Sequence, residues 1–266
     1  MRRLSVASLL AALALLPTVV AAQATPPATT SPAGSGGLER TPTAASKPAP
    51  RLADGKPDLS GVWQGGGPVG DLEQGLAKGE TIPLLPEAKK IMEARQSKDD
   101  PEANCLPTGV PRIAPYPWRI VQTPTHVFFL FEGNIHSYRQ IFMNGKHPED
   151  PDPTWFGHST GKWEGDTLVV DTVGYNEAFW MDRRGMPHTN QLHTIERFTR
   201  TSLQQIRLDV TVDDPGAYTA PWSSGLNLAW NAGDELFEYI CQQSNYAGEL
   251  MVGEMNSVDR SSPIVP

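Results

Sequence analysis

The sequence predicts an all-β protein: an antiparallel meander closed into a β-barrel, with one short helix. Three observations carry that expectation. From Trp118 onward, apolar residues recur at every second position, the period of a strand with one buried face. Turn residues punctuate this pattern at short intervals, at Asn144-Gly145, Glu164-Gly165-Asp166 and Thr201-Ser202-Leu203. Only one segment has helical periodicity, so no helices are available as the crossovers of a parallel sheet. Closure into a barrel removes exposed strand edges, with an open sandwich as the alternative.

The elements follow in chain order. Met1-Arg2-Arg3 precede an apolar run from Leu4 to Ala22, which ends at Ala22-Gln23-Ala24. A basic start, a short apolar stretch and an A-x-A site make residues 1–24 a secretory signal peptide. Ser5, Ser8 and Pro17 interrupt the run and no second apolar segment follows, which disfavours a membrane anchor. Residues 25–50 are Pro, Ala, Thr, Ser and Gly with almost nothing to bury, and read as a disordered linker. Residues 51–266 then form a single domain, roughly 210 residues and long enough for a real core.

The folded part opens with a strand at Pro57–Gln64. Pro86–Arg95 is the helix: Pro86 sits in the first turn, and Leu85, Ala88, Ile91 and Met92 share one side. Pro107 and Pro111 make the next segment irregular. Strands are then expected at Arg119–Glu132, His136–Met143, Trp155–Trp163, Asp166–Gly174, Leu192–Thr201, Gln205–Asp213, Tyr218–Trp230 and Leu236–Gln242. The alternation is plainest where Ile206, Leu208, Val210 and Val212 point inward and Arg207, Asp209 and Thr211 outward.

The formal charge is −8; loss of Arg2 and Arg3 with the leader leaves 20 basic against 30 acidic residues, or −10. No block of Lys or Arg is present, so neither nucleic acid nor an anionic membrane is an expected partner. In an oxidising compartment Cys105 and Cys241 read as one disulfide.

Gly61-Val62-Trp63 looks like the G-x-W opening of lipocalins. The string from Trp155 to Asn176, WFGHSTGKWEGDTLVVDTVGYN, is more specific. With Cys105-Leu-Pro-Thr-Gly-Val-Pro-Arg112 and Pro187-His188-Thr189, it resembles a large uncharacterised family of secreted bacterial proteins, over most of residues 57 to 245. The resemblance implies a periplasmic or secreted protein with a lipocalin-like barrel, and carries no particular reaction.

Between Trp155 and Arg197 the chain gathers three Trp, three His and several carboxylates and Arg, a density suited to a ligand-holding interior. His188 lies in a Gly-Met-Pro loop, the best place for an acid/base. Asp182 across the loop, or Asp171, is its candidate orienter; capping the turn at Arg183-Arg184-Gly185 is the other role open to Asp182. His193 and Glu196 are further acid/base candidates. With His188 they match a divalent-metal set by residue type. On a strand, however, the odd separation of His193 and Glu196 puts them on opposite faces, so neither a metal nor any other cofactor is assigned. Arg139 shares a face with Ser137 and Ile141, and Glu196 and Arg197 point opposite ways. Arg139 and Arg197 are therefore candidate anchors, either one a partner for an interior Asp171, because a lone buried carboxylate costs several kcal/mol. Trp155, Trp180 and Tyr138 are candidate walls, and the resemblance to lipocalins implies that Trp63 plugs one barrel end.

Two tempting motifs are set aside. Gly157-His158-Ser159-Thr160-Gly161 has the nucleophile-elbow spacing, but strands flank it on both sides. His147 to Pro153 is acidic, yet lacks calcium-loop spacing and reads as a rigid solvated loop. The expected function is an exported enzyme acting on a small aromatic, terpenoid-like or carbohydrate-derived molecule by general acid/base chemistry, as a lyase, isomerase or hydrolase. The alternative is a non-catalytic carrier of an apolar small molecule. The two differ inside the barrel: paired ionisable groups in one cavity for the enzyme, a largely apolar cavity for the carrier.

Overall fold

A computed structural model of the chain describes residues 47–65, 70–112, 116–133, 137–231 and 235–241. The expected signal peptide and nearly all of the expected linker lie outside the described residues.

Among the described residues, nine strands close into one barrel in chain order. They are β1 (Gly61–Gly65), β2 (Trp118–Gln122), β3 (His126–Phe131), β4 (Tyr138–Met143), β5 (His158–Glu164), β6 (Thr167–Val173), β7 (His193–Ser202), β8 (Gln205–Asp213) and β9 (Trp222–Trp230). The helix α1 (Pro86–Ala94) stands outside the sheet, with Pro86 in its first turn and Ala88 buried. β8 has the predicted bounds, and Ile206, Leu208, Val210 and Val212 are buried as its alternation requires.

One pairing departs from the all-antiparallel expectation. Neighbours in a closed ring can alternate in direction all the way round only if their number is even. Nine strands therefore force a parallel pair, which falls between β4 and β5. Parallel neighbours need a crossover of about a dozen residues or more, and the chain from Asn144 to Gly157 supplies it. Asn144 does turn, with φ 56°, but it opens this crossover rather than a hairpin.

Three other boundaries differ for local reasons. The run Arg119–Glu132 is two strands, because it reverses at Thr123-Pro124-Thr125, where the Thr123 N–H donates to His126 O at 2.8 Å. Uniform apolarity on either side hides that turn. β9 starts after Pro221 rather than at Tyr218, since proline cannot donate to a ladder. Residues 236–241 form no strand, and Phe237 and Ile240 are exposed.

Inside, Trp118 packs edge-on against Phe129 and Phe198, at ring separations of 4.7 and 6.4 Å. Trp63 is fully buried, donates Nε1–H to Leu59 O and lies under the Arg200 guanidinium. Cys105 and Cys241 form a disulfide across 136 residues of chain.

Candidate functional site

The predicted site residues separate into three places, because adjacent residues on a strand face opposite sides of the wall.

The first is the barrel interior. Arg139 on β4 and Glu196 on β7 point inward, their side chains 1% and 3% exposed, and Arg139 Nη2 donates to Glu196 Oε2 at 2.5 Å. Arg139 also donates to Ser159 Oγ (3.0 Å) and Thr172 Oγ1 (2.7 Å). Burial works against its charge, but Glu196 and Tyr175 outweigh burial and hold its pKa above the ordinary value. Tyr175, bonded to Thr194 at 2.7 Å, is pushed up to about 12, chiefly by burial. The space beside the ion pair is only about 10 Å3, the size of one water. Ser159 sits within this network on a strand, not on a nucleophile elbow.

The second place is the loop from Tyr175 to Leu192. His188 is buried there, with Nε2 3.0 Å from Phe179 O and Nδ1 3.3 Å from Thr189 O. Its ring packs on Phe179 at 4.0 Å, and burial lowers its pKa. Asp182 does not orient it. The two Asp182 oxygens accept backbone N–H bonds from Leu72, Arg184 and Met186, the donors that its own turn and a neighbouring one present. Asp182 is thus the turn cap, and burial raises its pKa. The guanidinium groups of Arg95 and Arg112 lie 5.2 and 5.9 Å from the Trp180 ring, which therefore serves cation–π contacts.

The third place is the outer wall, and it corrects two expectations. Leu168, Val170 and Thr172 take the buried face of β6, so Asp171 points outward and cannot meet Arg139. Arg197 is likewise outside, paired with Glu164 at 2.8 Å. Tyr138 is 63% exposed, while Trp155 packs against the core.

Asp171 instead gathers histidines. Its Oδ1 is 2.9 Å from His193 Nε2 on β7 and 3.1 Å from His147 Nε2 on the crossover. His147 Nδ1 lies 2.9 Å from His158 Nδ1 on β5, and Thr160 Oγ1 is 3.4 Å from His147 Nε2. These side chains are partly open to solvent: 24% for His147, 36% for His193 and 40% for Asp171.

Donor and acceptor arithmetic sets the tautomers. A carboxylate only accepts, so His147 and His193 both carry hydrogen on Nε2. Neutral His147 then has a lone pair on Nδ1, which must accept from His158 Nδ1–H. Two lone pairs remain, on His158 Nε2 and His193 Nδ1. Burial, then the neighbouring His147, lowers the His158 pKa and keeps that ring neutral. Phe142 stacks on His158 at 5.1 Å, His126 meets Phe142 edge-on at 5.2 Å, and Phe128 stacks on His126 at 5.6 Å. Among the described residues, no three His, Cys, Asp or Glu side chains are arranged to hold a metal ion.

Sequence reasoning missed His147 and His158. Parity could have found His158, since residues 158, 171 and 193 all fall on outward positions once each strand's buried face is known. His147 carries no periodic signal, because a crossover places it.

No family model, curated protein or solved structure matches this chain. Among the described residues, no helix is long and apolar enough to cross a membrane.

Proposed function

We propose that this protein is an exported enzyme, periplasmic or secreted, that performs general acid/base chemistry on a small aromatic molecule at the outer-wall histidine cluster. One observation carries the reading: a single carboxylate oxygen, Asp171 Oδ1, holds two imidazoles, and a third stands in line behind one of them. A carboxylate bonded to the far nitrogen of an imidazole fixes its tautomer and raises its basicity. His158 Nε2 accepts the substrate proton. The proton on His158 Nδ1 then passes to His147 Nδ1, so the positive charge comes to rest beside Asp171. The rings of Phe142, His126 and Phe128 offer a flat substrate a stacking surface. The leader sequence and the disulfide support export.

A general probe of base catalysis, 5-nitrobenzisoxazole, tests this reading. The base removes the ring C–H proton, that electron pair forms the nitrile, and the N–O bond breaks to release a coloured phenolate. Turnover should exceed that of the same concentration of free imidazole. His158→Ala and Asp171→Asn should each lower it by about a hundredfold, the scale of a positioned base. Turnover unchanged in both variants would remove the cluster from the chemistry.

A further inference from the structure

Residues 101–112 cap the Arg139–Glu196 pair through Val110 and Pro111, which line the space beside it. Among the described residues, the hydrogen bonds of this segment stay within residues 100–116. Arg112 donates to Asp100 (2.9 and 2.6 Å) and Glu102 (2.7 Å), Asn104 donates to Asp100 O, and Tyr116 OH bonds Glu102. Packing and one covalent tie hold the cap down. Val110 is buried, Gly109 (φ +63°) lies so close to Phe179 that a Cβ would stand 2.4 Å from the ring, and Cys105 is bonded to Cys241. A segment docked this way can lift without breaking a sheet ladder.

Beneath it, two strong donors are unused. Arg139 Nη1 and Trp118 Nε1 are buried with no hydrogen-bond partner, and both residues line the same space of about 10 Å3 under Val110 and Pro111. A buried donor left unpaired forfeits its hydration with nothing in return, so such groups nearly always have an acceptor. The rest of the lining is apolar, chiefly Phe129, Phe131 and Phe198, with Glu196 at its edge.

Charge decides what kind of acceptor belongs there. Arg139 and Glu196 already neutralise each other, so a ligand carboxylate would bring a second, uncompensated negative charge into a dry site. A neutral carbonyl oxygen accepts from both donors without that cost. We propose that the capped barrel end is a binding site for a small, uncharged apolar molecule bearing a carbonyl group. Its oxygen is held by Arg139 Nη1 and Trp118 Nε1, and its body occupies the volume that Val110 and Pro111 fill when the cap is closed. The site is separated by the barrel wall from the outer histidines and stands or falls independently of them.

Calorimetric titration of the mature, disulfide-intact protein with three ligands tests the proposal. Acetophenone carries the carbonyl, ethylbenzene lacks an acceptor, and benzoate adds the charge. Acetophenone should bind saturably, with ethylbenzene at least about tenfold weaker for want of an acceptor and benzoate at least about tenfold weaker for its uncompensated charge. Trp118→Phe keeps the aromatic packing and removes one donor. It should weaken acetophenone about tenfold and leave ethylbenzene unchanged. A crystal grown with acetophenone should show the ketone oxygen within hydrogen-bond distance of Arg139 Nη1. Equal binding of acetophenone and ethylbenzene, stronger binding of benzoate, a Trp118→Phe variant with unaltered preference, or only an ordered water in the space would each overturn it.

Discussion

Replacing Glu196 by Gln removes one charge from the barrel interior while barely changing its shape. The Arg139 guanidinium is then held by the hydroxyls of Ser159 and Thr172 and by the new amide oxygen, none of which carries a negative charge. It cannot shed its proton to escape, and at 1% exposure it cannot reach water. Breaking a buried pair from one side in this way costs about 3–5 kcal/mol, a large share of the 5–15 kcal/mol that stabilises a typical domain. Urea unfolding of the oxidised protein, followed by tryptophan fluorescence, measures the loss as a lowered midpoint at unchanged slope. Removing both charges, with Arg139→Met and Glu196→Leu together, should recover most of the loss, because Ser159 Oγ and Thr172 Oγ1 already bond each other at 3.0 Å. If Glu196→Gln costs less than about 1 kcal/mol, or if the double variant is as unstable as the single, the pair is not a buried, mutually compensating unit.

The other predictions concern the loop, the histidines and the disulfide. Asp182→Ala leaves the N–H groups of Leu72, Arg184 and Met186 without their acceptor and should cost about 2–4 kcal/mol by the same urea assay, at about 1 kcal/mol per bond. His158 and His188 are both harder to protonate in the folded protein than in the unfolded chain, chiefly through burial. The unfolded state therefore takes up protons first as pH falls. The stability these groups contribute is complete above the ordinary histidine value near 6.5 and is lost as the pH falls from there through their lower folded-state values. Unfolding midpoints measured from pH 7.5 to 5 should fall, and His188→Gln should make the slope shallower. Replacing Cys105 and Cys241 by Ser reopens a loop of 136 residues and should cost about 4–5 kcal/mol, by the chain-entropy relation, with the far-ultraviolet circular dichroism of the barrel retained.

The barrel was legible because a two-residue period survives in any sequence whose strands have one wet face, as Gln205–Asp213 shows residue for residue. The inward position of Arg139 could not be read from period alone, since either face of Tyr138–Met143 mixes polar and apolar residues. The face of Asp171 was misjudged for a similar reason. Val169 and Val173 flank it on its own side, so the strand looks apolar both ways, and only the packing of Leu168 and Val170 into the core shows which side is wet. His188 and Asp182 were correctly placed in a loop. What satisfies them there is backbone, namely one carbonyl, Phe179 or Thr189, for the single N–H of a neutral His188 ring and the amides of Leu72, Arg184 and Met186 for Asp182, and backbone donors and acceptors leave no mark in side-chain composition.

The outer cluster also follows from how the barrel closes. Had the strand count been even, β4 and β5 could have been antiparallel and joined at Asn144-Gly145 by a tight hairpin, with no excursion over the wall. With nine strands the parallel pair requires a crossover, and the crossover carries His147 onto the outer face of β5 and β6, within 3.1 Å of Asp171. The neighbouring strands complete the arrangement through register. Thr160 lies opposite Asp171, and Ile195, two residues beyond His193, lies opposite Asp171 from the other side. His158 and His193 therefore sit diagonally about the carboxylate on its two neighbouring strands. Strand parity, strand register and one long connection together place two imidazoles on one carboxylate and a third behind them.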